Sequence, residues 1–299
     1  MSDILLGVDP RDPPVPALLW AADEAVRRGA RLRLLAVVPP VHDRLWNDAF
    51  AHRSALRIRA ESALADAEEL VRELHRGLWT VTELVDGAPE TVLREATHAA
   101  ALAVVGSRRL GRAAELLSDG SVAVPLAARA ECPVAVVREA GGTAVHPPRI
   151  VVGVDGSADC RAAVAFAMAE ASLREARLSA VWVWPRPLLA RDDDPEGLAE
   201  HRRLLAEAVA GCAERYPDVH VDPVVVRGHP VEELTRAAAD ALAVVVGRRG
   251  SGGYSGMRLG STVRGLLRHA PGPVVAVPPA RTEGAERPRL RTVRPALGG

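Results

Sequence analysis

The feature that most constrains this sequence is an internal repeat. Residues 150–155, IVVGVD, repeat residues 4–9, ILLGVD, and four further segments recur in the same order. The separation stays between about 140 and 146 residues, since 155 − 9 = 146 and 247 − 106 = 141. A repeat maintained over five segments is typical of two copies of one unit. The sequence therefore predicts two similar domains in one chain.

Within each copy, short apolar runs alternate with stretches of helical periodicity, and the runs are bounded by Gly, Pro and Asp. Strands that alternate with helices predict a parallel sheet with right-handed crossovers. Aromatic residues make up 3% of the chain, so we expect a core of Val, Leu, Ala and Ile, as parallel sheets have. In the first copy we predict strands at 4–8, 32–38, 78–85, 101–105 and 133–137, and helices at 17–28, 45–74 and 90–99.

Changes in composition give the domain boundaries. Residues 1–139 form the first predicted domain and residues 149–279 the second. Between them, residues 140–148 contain Gly and Pro without periodicity, which predicts a linker. Residues 280–299 form a basic tail, rich in Arg and Pro, that we expect to be disordered.

A glycine-rich loop in the second copy carries the clearest functional pattern. The predicted strand ends at Gly247, Gly250 follows, and Gly260-Ser261 precede a predicted helix over 262–269 with Ser261 as its N-cap. Free backbone N–H groups and the helix dipole then point at one place, which favours an anion. A Walker A loop is excluded because Leu259 precedes Gly260 and the chain has no lysine. The alternative is a loop that closes a βα unit and binds nothing.

The spacing from Gly247 to Gly250 and then to Gly260-Ser261 resembles the signature of the ATP-binding branch of the universal stress protein family. Both halves resemble domains of this family, over about residues 2–138 and 149–278. The resemblance implies two tandem doubly wound α/β domains, each a five-stranded parallel sheet in the order 3-2-1-4-5. Ligands of such sheets bind at the carboxyl ends of strands 1 and 4.

The resemblance also implies which residues bind the nucleotide. Adenine is expected near one group, the ribose and inner phosphates over a second, and the terminal phosphate at a third. Arg248 or Arg249 could add charge-assisted bonds to phosphate oxygens. We expect ATP as the ligand, with Mg²⁺ or Mn²⁺ held by its phosphates. The adenine group is Gly153, Val154, Asp155 and Val183. The group for the ribose and inner phosphates is Val246, Gly247, Arg249 and Gly250, and the group for the terminal phosphate is Gly260, Ser261, Thr262 and Val263.

The first half departs from this pattern. Pro10 follows Asp9, and Arg109 stands where the second glycine belongs. Gly120 comes 14 residues after Gly106, against 13 between the corresponding glycines of the second half (120 − 106 and 260 − 247). We expect the first half to be a structural partner whose last strand pairs with that of the second half. A homodimer of such chains is a further possibility.

The charge, apolar runs and cysteines of the whole chain exclude several classes of function. Its formal net charge is +0, and no run of 18 apolar residues occurs, so we expect neither a nucleic-acid nor a membrane partner. Three cysteines without a C-x-x-C motif argue against a disulfide framework or zinc. We expect a cytoplasmic nucleotide-dependent stress-response and signalling module without catalytic residues. The alternatives are a slow ATP hydrolase or nucleotidyl transferase, and an interaction scaffold that binds no nucleotide.

Overall fold

The protein is represented by a computed structural model that describes residues 3–40, 46–107, 122–138, 147–184, 194–251 and 258–280. The predicted linker and tail lie almost entirely outside these ranges. The first half contains β1 (Asp3–Val8), α1 (Val15–Arg28), β2 (Arg31–Val38), α2 (Trp46–Leu74), β3 (Thr80–Asp86), α3 (Pro89–Ala96), β4 (Ala100–Gly106), α4 (Ala123–Arg129) and β5 (Val134–Val137).

The second half repeats this order. It contains β6 (Arg149–Val154), α5 (Ala158–Leu173), β7 (Arg177–Trp184), α6 (Pro195–Ala213), β8 (Val221–Arg227), α7 (Pro230–Ala237), β9 (Ala243–Gly247), α8 (Ser261–His269) and β10 (Val274–Val277). No helix within the described ranges combines the length and the apolar character needed to cross a membrane.

The predicted alternation of strands and helices is confirmed, with small shifts at the ends of elements. The third strand begins at Thr80 and not at Leu78, because the Leu78 N–H bonds to the carbonyl of His75 (3.1 Å) in the turn after α2. The helix predicted over 90–99 ends at Ala96 and continues as one 3₁₀ turn, Thr97–Ala99.

The ten strands of the described ranges belong to one sheet, in the order β3-β2-β1-β4-β5-β10-β9-β6-β7-β8. Each half therefore has the 3-2-1-4-5 order that the resemblance implied, and its strand pairs are parallel. The two halves meet where β10 pairs antiparallel with β5, with Val275 opposite Ala135. The sheet is thus mixed, and its two five-stranded parts run in opposite directions.

Helices cover both faces of the sheet, as the near-continuous apolar strands require. Residues of α1, α2, α5 and α6 pack on one face, and residues of α3, α4, α7 and α8 pack on the other. Each of these layers contains buried residues from both halves, for example Ile4 and Ile150. The apolar core is therefore continuous across the junction between β5 and β10.

Two glutamates and two arginines form a closed ring of charges between α1 and α5. Glu24 and Glu170 each contact both Arg28 and Arg174, and the Arg174 Nε lies 3.0 Å from a Glu170 carboxylate oxygen. The glutamates are 0% and 3% exposed. Burial acts to raise the pKa of Glu24, but the Arg174 and Arg28 guanidinium groups outweigh it and hold that pKa below its ordinary value. The ring is thus a buried ionic contact between the halves.

The ring follows the sequence repeat. Arg174 lies over the ring of Trp20 at 5.2 Å, and Arg28 lies over Phe166 at 5.6 Å. Phe166 follows Trp20 by 146 residues (166 − 20), which is also the separation of the two glutamates (170 − 24). Each half therefore contributes an aromatic residue, a glutamate and an arginine at four-residue spacing, and the two sets face each other. In the second half the arginine, Arg174, is the C-cap of α5.

Candidate functional site

The residues predicted to bind adenine, ribose and the inner phosphates lie at or just after the carboxyl ends of three strands in the second half. Asp155 follows β6, Val183 is the penultimate residue of β7, and Gly247 ends β9. Strands β6 and β9 are neighbours in the sheet. The connection from β6 to β7 runs to one side of this pair, and the connection from β9 to β10 runs to the other side. This is the topological switch point, where ligands of doubly wound sheets bind.

Asp155 joins the two loops at this edge. One carboxylate oxygen accepts the Ser157 N–H at 3.0 Å, and the other accepts the Ser251 N–H at 2.8 Å. A Cβ on Gly250 would lie 2.6 Å from that second oxygen, so a side chain there would displace the Asp155 carboxylate. Each oxygen keeps a lone pair for a further donor. In addition to its predicted contact with adenine, Asp155 therefore organises the loop.

Arg249 holds the same loop against the start of α5. Its backbone N–H and its Nε both bond to Asp159 Oδ2, at 3.1 and 3.2 Å. Asp159 is 5% exposed, while the Arg249 side chain is 49% exposed. The guanidinium group therefore has a buried carboxylate partner as well as access to solvent, and phosphate contact would be additional to this ion pair. Asp159 was not among the predicted site residues.

The N-terminus of α8 faces the loop without a side-chain cap in the described part of the chain. Gly260 is the N-cap, so the prediction that Ser261 is the N-cap was wrong. The reason is that the Gly260 carbonyl already accepts the Arg264 N–H at 3.1 Å, which makes Ser261 the first helical residue. By contrast, the Ser157 hydroxyl caps α5 by accepting the Cys160 N–H at 3.1 Å. Backbone N–H groups of the first turn, at Ser261, Thr262 and Val263, have no acceptor within α8 itself.

Two glycines of the loop motif differ in how closely their surroundings pack. A Cβ on Gly247 would meet the carbonyl carbon of Asp159 at 2.8 Å and the nitrogen of Cys160 at 3.0 Å. Glycine there allows β9 to pack against the first turn of α5. A Cβ on Gly260 would have its nearest neighbour at 3.5 Å, with ordinary extended backbone angles (φ −64°, ψ 154°). The fold does not require glycine at Gly260.

Comparison with known proteins identifies the family. The sequence model described as "Universal stress protein family" matches residues 1–138 and again 147–278. The chain belongs to the universal stress protein family. A universal stress protein of Mycobacterium tuberculosis is 34% identical over 283 residues, covering 91% of this chain and 95% of that protein. One of Mycolicibacterium smegmatis is 35% identical over 291 residues, covering 92% and 97%.

Solved structures agree on the fold. A universal stress protein of Archaeoglobus fulgidus superposes with a TM-score of 0.69 at 19% identity, covering 93% of this chain and 96% of that chain. A putative universal stress protein of Pseudomonas aeruginosa gives 0.61 at 20% identity, covering 93% and 94%. This chain is therefore a tandem universal stress protein, and the family places it among stress-response proteins.

The two halves of this universal stress protein differ at the equivalent edge. In the first half α1 begins at Val15, three residues later than α5 begins in the repeat (158 − 146 = 12). Pro14 occupies the space in front of β4, where its Cβ lies 2.6 Å from a Cβ built on Gly106. No side chain of the described residues caps α1. Residues 108–121, which include Arg109 and Gly120, lie outside the described ranges, as do residues 252–257 of the second half.

Aromatic side chains line the outer end of β7, next to the edge of the universal stress protein sheet where the site lies. The ring of His201 stacks on Trp184 with centroids 4.5 Å apart and meets Trp182 edge-on at 5.6 Å. Arg227 lies over Trp184 at 4.2 Å. Trp182 and Trp184 alternate with Val183 along β7, so the two tryptophans lie on the opposite face of the sheet from Val183. The described residues contain no cluster of His, Cys, Asp and Glu able to hold a metal ion.

Proposed function

We propose that the second half binds one ATP molecule. The observation that supports this most directly is the meeting of the α8 N-terminus, which has no side-chain cap among the described residues, with the Gly247–Ser251 loop at the switch point between β6 and β9. Backbone N–H groups and the positive end of a helix dipole together favour phosphate. A Cβ built on Gly260 would have its nearest neighbour at 3.5 Å, so packing does not explain the glycine at the start of this helix.

The proposed contacts follow from this geometry. The N–H groups of Ser261, Thr262 and Val263 would serve the terminal phosphate beside Gly260, whose own N–H bonds to the Arg248 carbonyl at 2.9 Å. Mg²⁺ or Mn²⁺ would be held by the phosphates themselves. The exocyclic amine of adenine would donate to Asp155, whose oxygens keep lone pairs. The remaining contacts are assigned to Gly153, Val154, Val183, Val246, Gly247, Arg249 and Gly250.

Two measurements test this proposal. Mass spectrometry of the ligand extracted from the denatured protein should find an adenine nucleotide, and calorimetric titration of the emptied protein should find one ATP site per chain. Gly260→Asp, which places a carboxylate at the phosphate position, should abolish the titration signal. Two equivalent sites, or full binding by Gly260→Asp, would contradict the assignment. Absence of any nucleotide would favour the interaction scaffold.

We further propose that bound ATP is retained and not turned over. Fast phosphoryl transfer needs a group that orients the attacking oxygen. Of the carboxylates described at this edge, Asp155 accepts two loop N–H groups and Asp159 is paired with Arg249. We expect phosphate release well below about 1 s⁻¹ with Mg²⁺ or Mn²⁺. A faster rate that is lost in Gly260→Asp would instead establish the slow hydrolase or transferase alternative as an enzyme.

For the whole chain we propose a nucleotide-dependent signalling role in the response to stress, exercised by two halves that stay paired in solution, with or without further dimerisation. The contact between β5 and β10 and the buried charge ring support the pairing. Three free cysteines, two of them buried, are consistent with the reducing cytoplasm as its compartment.

A further inference from the structure

Arg248 connects three parts of the molecule at the proposed site. Its backbone N–H bonds to the carbonyl of Val277 in β10 at 2.8 Å, and its own carbonyl accepts the N–H of Gly260 at 2.9 Å. Its side chain crosses to the first half, where Nη1 donates to the carbonyl of Ala130 at 3.0 Å. Ala130 is the C-cap of α4. One residue thus ties the start of α8 and the end of β9 to a helix of the other half.

The side chain of Arg248 is held in this position at an electrostatic cost. Burial lowers the pKa of its guanidinium group, and the neighbouring Arg249 lowers it further. Its Nε–H is buried and has no hydrogen-bond partner among the described atoms. What it does contact is the carbonyl end of α4, where a positive charge is favourable. A charge kept half-buried for one carbonyl contact points to a positional role.

We propose that Arg248 is the positioning residue of the ATP site, through which the first half fixes the geometry of the loop that binds phosphate. This rests on the proposed ATP binding of the second half. Because the Gly260 N–H is bonded to the Arg248 carbonyl, movement of Arg248 displaces the N-cap of α8. The first half therefore contributes to ATP affinity through the carbonyl of Ala130, without itself holding the nucleotide.

Arg138 provides a matched control. It follows β5 and donates across the same junction in the opposite direction, to the carbonyl of Leu267 near the C-terminal end of α8. Burial lowers the pKa of its guanidinium group as well. Unlike Arg248, it lies in the first half and, among the described residues, makes no backbone bond to the loop. Replacing it removes an equivalent bond between the halves and leaves the loop intact.

The first test uses the full chain and titration with ATP. Arg248→Met should weaken ATP binding about fivefold or more, in the range of typical coupling between sites. Arg138→Met should leave the affinity unchanged within experimental error, although both variants lose one bond between the halves. Arg248→Lys, which keeps a donor for the Ala130 carbonyl, should recover part of the affinity. Wild-type affinity in Arg248→Met would overturn the proposal.

The second test uses amide hydrogen exchange without nucleotide, where a direct contact between Arg248 and phosphate has no effect. Exchange at residues 249–251 and at Gly260 should be faster in Arg248→Met and unchanged in Arg138→Met. Unchanged exchange in Arg248→Met would overturn the positional role. If wild-type protein binds no ATP while this exchange difference is found, the proposed ATP binding fails and the positioning of the loop by Arg248 stands.

Discussion

At the scale of single residues, Gly247 is required by the packing of the fold, whereas Gly260 is not and is assigned to the proposed ligand. A Cβ at Gly247 would meet the backbone of α5, whereas a Cβ at Gly260 would make only ordinary contacts. Both belong to one motif in the sequence, and a motif alone does not distinguish the two reasons for a glycine.

The two glycines predict opposite results for the same substitution. Gly247→Ala should lower the free energy of unfolding by about 1–3 kcal/mol, because rigid backbone must shift to admit the methyl group. Gly260→Ala should leave stability unchanged and weaken ATP binding, since the added methyl occupies the space proposed for phosphate. Thermal unfolding and calorimetric titration of both variants provide the measurements. A destabilised Gly260→Ala would show that the space is needed by the fold.

The cysteines predict a defined order of reactivity. Burial raises the pKa of the Cys132 thiol to about 12 and also raises that of Cys160. At pH 8 about one Cys132 thiol in 10⁴ is then ionised, and only the thiolate reacts. Cys212 is partly exposed, so a disulfide reagent should label it first in the folded protein. Peptide mapping of the labelled protein measures the order, and rapid labelling of Cys132 would indicate that the segment before β5 opens.

At the scale of elements, the contact between α1 and α5 is the feature that sequence reasoning missed. Glutamates and arginines on helices are usually exposed, so Glu24 and Glu170 gave no sign of burial. The available signal was the repeat itself, since an aromatic residue, a glutamate and an arginine recur at the same separation of 146 residues (166 − 20).

The strands were predictable because buried parallel strands are continuous apolar runs. The bond from Arg248 to Ala130 was not predictable, because a backbone carbonyl leaves no mark in the sequence.

Breaking the charge ring should be costly. Arg174→Met leaves two buried carboxylates with one arginine, and we expect a loss of about 3 kcal/mol or more in the free energy of unfolding. Arg203→Met is the matched control, since Arg203 pairs with Glu200 and Glu207 on the exposed face of α6 and should have little measurable effect. Urea unfolding of both variants provides the comparison. Equal effects would contradict a structural role for the ring.

At the scale of the whole molecule, the continuous sheet predicts that the two halves unfold together. The β5–β10 contact, the shared apolar layers and the charge ring would all be lost if one half unfolded alone. We therefore expect one calorimetric transition, with equal calorimetric and van't Hoff enthalpies. Two separated transitions would mean that the halves are independent domains.

The antiparallel contact at the centre of the sheet also affects how the two copies can diverge after duplication. Because the halves run in opposite directions, the carboxyl edge of the second half adjoins the amino-terminal edge of the first, where Ala130 precedes β5. The two edges of the first half therefore have different neighbours. Under the role proposed for Arg248, the amino-terminal edge has to keep its shape to serve the neighbouring site, while the carboxyl edge of the first half can accept changes such as Pro14 before α1. On that proposal, one copy can depart from the binding motif and still be needed for binding by the other.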